Sequence, residues 1–207
     1  MSSIDTYTGL VAFVTDHLQL DTDTVGQIDN LLRMAELKLN RAILAPEREQ
    51  VSTAYTVAGT QTVGLPSNFR QIRQVMVDSD YPLAQVSLNV LQGSFAGGGN
   101  SGKPQVYAIS DSSLYFGPIP DSDYLLSMTY LADITPLTAT NTTNWLTEVN
   151  PDAYVYALLA ECEAFRGNLD AAGRWLAMLD AVIAEINRQG VKFRNSAPVR
   201  LRSPVVV

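Results

Sequence analysis

The hydrophobic period of this sequence changes twice along the chain, and this change limits the folds that the chain can adopt. In the N-terminal part, apolar side chains recur at helical spacing, which predicts helices at about 3–18 and 24–44. From about 49 to 133, β-branched and aromatic residues alternate with polar ones, which predicts strands. Helical spacing then returns and predicts helices at about 151–166 and 170–189. The pattern indicates an α+β fold, mainly α, in which a four-helix core carries a central β-rich insertion.

Local signals mark the limits of the C-terminal helices. Asn150 precedes Pro151, so a favourable capping residue is followed by a favourable first helical residue. Gly190 predicts the end of the last helix, because glycine readily adopts the left-handed conformation that follows a final turn. Beyond it, two prolines and a β-forming end predict an extended C-terminal arm, residues 191–207. We therefore expect a single domain over residues 1–190, followed by this arm.

Cysteine and histidine are nearly absent from the chain. Cys162 is the only cysteine, so no intrachain disulfide can form, and His17 is the only histidine. The usual zinc sites need several Cys, His or carboxylate ligands at set spacings. Cys162 lies on an apolar helical stripe, which predicts a small buried side chain, and His17 lies near a helix end. We predict no metal and no cofactor.

Two other kinds of motif could carry chemistry, but the first is predicted to be a flexible loop and the second to be turn-forming aspartates. A glycine-rich loop at 97–102 is followed by Lys103 and Pro104, whereas a phosphate-binding loop needs a helix directly after it. The acidic pairs Asp21/Asp23 and Asp121/Asp123 stand in turn-like sequence, where aspartate bonds to nearby backbone amides. No Gly-x-Ser-x-Gly sequence is present. We predict that the protein is not an enzyme, and a hydrolase that uses Asp and Ser stays a remote alternative.

Charge is distributed unevenly along the chain. The net charge is −7, but the residues after Glu185 include five basic and no acidic side chains, so the remaining nine basic and 21 acidic residues give the body −12. An acidic body argues against direct binding of nucleic acid, which needs clusters of Lys and Arg. The basic and apolar C-terminal residues form the candidate docking element: Arg188, Lys192, Phe193, Arg194, Arg200, Arg202, Val205, Val206 and Val207.

Two interpretations of this C-terminal part stay open. It is either a solvated terminus without fixed structure or an arm that becomes ordered on a partner protein. The apolar residues between the basic ones favour the arm, because a segment that only adds solubility does not need them.

The order of several short motifs resembles a known family. The N-terminal helical pair is followed by motifs at 65–73 (LPSNFRQIR), 102–109 (GKPQVYAI), 114–121 (LYFGPIPD), 124–130 (YLLSMTY), 144–146 (NWL) and 151–152 (PD). This order is similar to that of the head-to-tail adaptor, or connector, proteins of tailed bacteriophages. Pro66 and Phe69 in the first motif have a structural role, because they end a strand and return the chain to the core.

The resemblance implies a structural virion protein that forms a homo-oligomeric ring, typically of about twelve copies. Such a ring would connect the portal protein to tail nozzle or head-closure proteins, and DNA would pass through its lumen without sequence-specific binding. The implied location is the head-tail interface of the virion, with assembly in the host cytoplasm and no membrane. The C-terminal arm would dock with acidic portal surface. Another head-closure or tail-completion subunit stays open as an alternative.

Overall fold

The structure is a computed structural model that describes residues 3–95 and 101–195, with side chains described through Val191. In these residues seven helices and eight strands form an α+β fold, which confirms the predicted fold class. The chain divides into two compact units, each with its own core. The helical unit comprises Met1–Glu47 and Ile134–Val207, and the β unit comprises Arg48–Asp133. The prediction of one domain over residues 1–190 stays a prediction.

The helical unit contains two groups of helices, one from each end of the chain. The N-terminal group is α1 (Tyr7–Leu18), α2 (Thr22–Gly26) and α3 (Ile28–Ala42). The C-terminal group is α5 (Trp145–Val149), α6 (Pro151–Phe165) and α7 (Leu169–Asn195). α6 packs against α1, α3 and α7, and it is buried along most of its length. The two groups therefore share one core, whose most enclosed side chains include Leu10, Leu32, Leu39, Ile43, Leu146, Tyr154, Leu158 and Leu159.

Three helix boundaries differ from those predicted. α1 begins at Tyr7 rather than near residue 3, because the Thr6 side chain caps it by accepting from the Gly9 amide. The helix predicted at 24–44 is interrupted at Gln27, which separates α2 from α3. α7 continues to Asn195 instead of ending near residue 189. The first difference arises from a local cap, whereas the third depends on packing that is described below.

Buried polar side chains hold the chain where it returns from the β unit at residues 134–137. Asn40 Oδ1 accepts from the Ile134 amide at 2.8 Å, and Glu36 Oε1 accepts from the Leu137 amide at 2.6 Å. Asn144 donates to the Thr135 carbonyl, also at 2.8 Å. Glu36 and Asn40 are 3% and 5% exposed, so water does not replace these bonds. The contacts fix the returning segment within the helical unit.

The carboxyl of Glu36 is part of a buried network that also includes Tyr154 and Asn144. The Tyr154 hydroxyl donates toward Glu36 and accepts from the Asn144 amide group at 2.8 Å. Burial raises the pKa of Glu36, although the hydrogen bonds from Leu137 and Arg33 act in the opposite direction. Burial and the neighbouring Glu36 also raise the pKa of the Tyr154 hydroxyl. The negative charge of Glu36 is therefore disfavoured in the folded protein.

The β unit is built from two four-stranded sheets and one helix, α4 (Leu88–Phe95). The first sheet has the order β1 (Glu49–Tyr55), β8 (Leu125–Ala132), β3 (Phe69–Val77), β4 (Tyr81–Pro82). The second has the order β2 (Thr62–Gly64), β7 (Ser113–Gly117), β6 (Val106–Ser110), β5 (Ala84–Gln85). A two-residue turn with positive φ at Asp111–Ser112 connects β6 to β7, and a three-residue turn connects β3 to β4, with positive φ at Asp78 and Ser79. Inward residues of both sheets, including Val75, Phe116, Leu126 and Met128, form the core of the unit.

A buried arginine joins the two ends of the β unit. Arg48, which is 1% exposed, donates through Nε to the Ala132 carbonyl at 2.8 Å. Its guanidinium also lies 3.5 Å from the Asp133 carboxylate, which Arg70 approaches at the same distance. The first and last residues of the unit are thus tied together by a charged group that is hydrogen-bonded.

We expect Asn40→Leu to lower the free energy of unfolding by about 1–3 kcal/mol, because the buried Ile134 amide would lose its acceptor. Chemical denaturation followed by circular dichroism measures this change. The matched control is Asn30→Leu, an exposed position of α3 whose side chain donates to the Gln27 side chain. The control should change stability by less than about 0.5 kcal/mol. Equal effects at both positions would contradict the structural role of Asn40.

Glu36→Gln should raise the free energy of unfolding at neutral pH. The pKa of Glu36 is raised in the folded protein, so its contribution to stability is greatest below its ordinary pKa and falls as the pH rises through the folded value. Glutamine stays neutral, so the variant does not lose this stability as the pH rises. The difference in the free energy of unfolding between the variant and the parent should therefore shrink as the pH falls toward about 4. Denaturant titrations between pH 4 and pH 8 measure it, with exposed Glu148→Gln as the control. A variant that is destabilised at neutral pH would show that the charged form is needed.

Candidate assembly site at the end of α7

The predicted helix stop at Gly190 is wrong, and the reason is a close contact between α7 and the chain after α3. Gly190 is buried inside α7, and a Cβ atom on it would lie 2.7 Å from Pro46 Cδ and 3.6 Å from Ala45 Cα. The absence of a side chain at Gly190 therefore allows α7 to pack closely against Pro46 and Ala45, and Gly190 does not act as a left-handed helix cap. Residues 191–195 are helical, so the predicted extended arm does not begin at residue 191.

The docking residues predicted from the sequence fall into three groups. Arg188 lies on α7 with a side chain that is 63% exposed, and its Nε donates to Glu185 at 2.9 Å. Lys192, Phe193 and Arg194 belong to the last turn of the same helix. The remaining predicted residues lie outside the described residues: Arg200, Arg202, Val205, Val206 and Val207.

Asn187 fastens this part of α7 to the end of α3. Its Oδ1 accepts from the Leu44 amide at 2.7 Å, and its Nδ2 donates to the Ala42 carbonyl at 2.9 Å. Both partners are backbone groups at a helix end, where intrahelical partners are missing. The last turns of α7 are thus positioned by side-chain and packing contacts rather than by helix propensity alone.

A small cleft lies beside these turns. It has a volume of about 130 Å³ and is lined by Glu47, Trp145, Val149, Asn150, Ile186, Gln189 and Gly190. Val149 on the rim of the cleft is 67% exposed, and Val191, which follows Gly190 in α7, is 50% exposed. The cleft is smaller than the usual small-molecule pocket of about 300–1,000 Å³. Its lining combines polar and apolar side chains.

The lysine after the glycine-rich loop is held in a local ion-pair cluster. Lys103 Nζ lies 2.8 Å from Asp80 and 2.9 Å from Asp78, and it stands over the rings of Tyr81 and Tyr124. The hydrogen bonds to Asp80 and Asp78 raise the pKa of Lys103. Lys103 therefore stabilises a turn region, and residues 97–100 of the loop lie outside the described residues.

One aspartate of each acidic pair, Asp21 and Asp121, makes a hydrogen bond to a nearby residue. Asp21 caps α2 by accepting from the Thr24 amide at 2.7 Å, and hydrogen bonds from the Thr24 side chain and amide lower the pKa of Asp21. Asp121 accepts from the Tyr124 hydroxyl at 2.7 Å. Among the residues that the structure describes, no group of three His, Cys, Asp or Glu side chains could hold a metal ion.

His17 and Cys162 both have structural surroundings. The His17 ring stacks on Phe13 at 5.8 Å and meets Trp175 edge-on at the same distance. Cys162 is fully buried, and burial raises the pKa of its thiol to about 12. A thiol with this pKa is not ionised at neutral pH and is a poor nucleophile.

Sequence analysis missed the buried polar residues that hold the segment at residues 134–137. Glu36 and Asn40 lie four residues apart and interrupt the apolar stripe of α3 next to Ala35 and Leu39. Polar residues at i and i+4 on a buried face are a signal that backbone groups from elsewhere are bonded there. None of the helices in the described ranges 3–95 and 101–195 is long and apolar enough to cross a membrane.

The described polar groups take part in caps, turns and ion pairs, while large apolar side chains stand exposed on both units. The chain matches the family model described as SU10 adaptor protein over residues 5–202, and it belongs to this family. A comparison of the sequence with curated proteins finds no match. Family membership agrees with the resemblance to phage adaptors and indicates a structural phage protein that interacts with other phage proteins.

Gly190→Ala should lower the free energy of unfolding by about 1–3 kcal/mol, because the added methyl group would press into the Pro46 ring. The matched control is Gly173→Ala in the same helix, where a Cβ would meet nothing within 4 Å. This control should stabilise the protein by roughly 0.5–1 kcal/mol, since alanine is the better helix former. Thermal and denaturant unfolding compare the two variants. Stabilisation by both would show that Gly190 is not a close-contact residue.

Proposed function

We propose that this protein forms a ring that connects the portal to the tail of a tailed phage. The observation that carries the proposal is the family match, which covers residues 5–202 and therefore includes both units and most of the C-terminal arm. The order of motifs in the sequence supports the same assignment. The protein acts by binding geometry and not as an enzyme, and it belongs at the head-tail interface of the virion.

Exposed apolar side chains on the helical unit support contacts between copies in the ring. Several helices carry large apolar residues that are between 41% and 70% exposed: Phe13, Met34, Leu37, Leu44, Val149, Phe165, Leu169, Met178 and Val191. Monomeric proteins expose such residues singly, but a ring subunit has neighbours that cover them. About twelve copies are expected from the family resemblance, with closed cyclic symmetry.

The C-terminal residues are proposed to dock with the portal protein. Arg188 stands exposed on α7, and Lys192, Phe193 and Arg194 continue the helix beyond it. The residues beyond Asn195 add Arg200, Arg202 and three terminal valines to the same basic and apolar segment. An acidic portal surface would complement these charges, and the apolar residues would supply anchors.

The acidic body suits the passage of DNA. The nine basic and 21 acidic residues that precede the C-terminal segment give a net charge of −12. A lumen with this sign of charge repels phosphate, so DNA would slide through without sequence-specific binding. Head-closure or tail nozzle proteins are the expected partners on the other side of the ring.

Deleting residues 196–207 tests the docking role. We expect the truncated protein to fold normally, because the deletion leaves α7 and the contact between Gly190 and Pro46 intact. Its affinity for the portal should fall by at least about tenfold, a loss of about 1.4 kcal/mol. Circular dichroism checks folding, and sedimentation with negative-stain microscopy measures ring formation and portal binding.

Arg174→Ala is the charge control for this deletion, since Arg174 is an exposed basic residue in the first half of α7. Portal binding by this variant should be nearly unchanged. Normal portal binding by the truncated protein would overturn the docking role. A full-length protein that neither forms rings nor binds its portal would overturn the proposed function itself.

A further inference from the structure

The four edges of the two sheets in the β unit are not alike. Three edge strands are only two or three residues long: β4 (Tyr81–Pro82), β5 (Ala84–Gln85) and β2 (Thr62–Gly64). β4 also contains a proline, which cannot donate to a neighbouring strand. The fourth edge strand, β1, has seven residues and pairs with β8 on one side. Among the described strands, β1 is therefore the one edge with room for a further strand.

The outward backbone groups of β1 follow from its pairing with β8. The Thr56 amide, directly after β1, donates to the Tyr124 carbonyl at 3.0 Å, so the backbone of Thr56 faces the chain of β8. In an antiparallel ladder such residues alternate with residues whose amides and carbonyls point away. The amides and carbonyls of Val51, Thr53 and Tyr55 therefore point to the open edge.

The same residues present exposed apolar side chains. Val51 is 67% exposed and Tyr55 is 65% exposed, and with Thr53 they lie on one face of the strand because their spacing is two residues. The stripe continues at Val57, which is 58% exposed. A partner strand along this edge would gain both backbone hydrogen bonds and contacts with this stripe.

β1 lacks the features that usually keep an edge strand unpaired. Its sequence, EQVSTAY, contains no proline and no lysine. Its register with β8 runs without a bulge from Glu49 to Tyr55, whereas the bulges of this sheet lie in β3. A long, regular edge without such protection is expected to aggregate unless another segment covers it.

Acidic side chains lie near the C-terminal end of the β1 edge. The segment at 120–124 lies beside the end of β1, because the Gly59 amide donates to the Pro120 carbonyl at 2.8 Å and the Thr56 hydroxyl donates to the Ser122 carbonyl at 2.9 Å. Asp121 and Asp123 on this segment are exposed. In an antiparallel partner, the N-terminal end of the added strand would lie at this acidic end.

We propose that the β1 edge binds an extended segment of a second protein by antiparallel strand addition. The segment has apolar side chains at alternate positions and basic side chains toward its N-terminal end. That this second protein is another component of the virion rests on the proposed function. The strand addition itself rests on the backbone, the apolar stripe and the acidic end of β1.

A synthetic peptide with this chemistry, Lys-Thr-Lys-Val-Thr-Val-Thr, is the probe. Hydrogen exchange of the full-length protein, measured by NMR, should show that the peptide slows exchange of the Val51, Thr53 and Tyr55 amides by at least about tenfold at saturation. A peptide with glutamate in place of both lysines should bind about two- to thirtyfold more weakly, because it loses two exposed ion pairs that contribute about 0.2–1 kcal/mol each.

Thr53→Pro removes an outward amide and should abolish binding of the peptide. Proline is tolerated on the open side of an edge strand, so the fold should persist, as circular dichroism and the chemical shifts of the helical unit would verify. Thr53→Val keeps the amide and is the matched control, which should bind like the parent. Tyr55→Lys provides a second variant in which the protein backbone is unchanged but the apolar stripe is broken.

Three results would overturn the proposal. One is an absence of protection at 1 mM peptide, roughly the weakest affinity that still counts as specific binding. Another is equal binding by Thr53→Pro and Thr53→Val. The third is protection of these amides in the free parent that disappears when residues 196–207 are deleted, which would make the chain's own C-terminus the occupant. Ring formation and portal binding are measured separately from peptide binding. The proposed function and the strand addition at β1 can therefore fail independently of each other.

Discussion

The structure depends on how the helical unit holds the chain as it returns from the β unit. Nearly ninety residues, Arg48–Asp133, intervene between the two groups of helices, and closing so long a loop has an entropic cost that the contacts at its ends must offset. Asn40 and Glu36 bind the amides of Ile134 and Leu137, and Asn144 binds the carbonyl of Thr135. Because these groups are buried, leaving any of them without a partner would cost more than an exposed hydrogen bond contributes. The returning segment is therefore bound at several backbone atoms rather than by apolar packing alone.

A buried polar side chain also binds a backbone group within the β unit, where Arg48 donates to the Ala132 carbonyl and lies near Asp133. Each unit thus closes its own chain ends with buried polar side chains and keeps its own apolar core. This arrangement leaves the outer surfaces available for other proteins, which suits a member of the SU10 adaptor protein family. Within the helical unit, burial raises the pKa values of Glu36, Tyr154 and Cys162, so the neutral forms of these side chains are favoured.

Much of the fold could be predicted because hydrophobic spacing is a local property. The strands around Val51, Ile72, Val106 and Leu126, and the helices of both ends, follow from their periods. Helix boundaries were predicted less well, as at Thr6, whose side chain caps α1, and at Gln27, where α2 and α3 are separated. The candidate docking residues were found from charge and composition, but sequence could not reveal the cleft beside α7 or the open edge of β1, because both depend on residues that are distant in the chain.

The sequence by itself determined the α+β class, the order of helices and strands, and the concentration of positive charge at the C-terminus. Only the tertiary structure decided what Gly190 does. The local rule predicts that glycine ends a helix, but Pro46 and Ala45 pack so closely on α7 that a Cβ atom has no space, and the helix continues. The choice between a helix stop and a close contact depends on a neighbour 144 positions away in the sequence. Short-range spacing carries no information about such a neighbour, so this part of the molecule could be understood only from its packing.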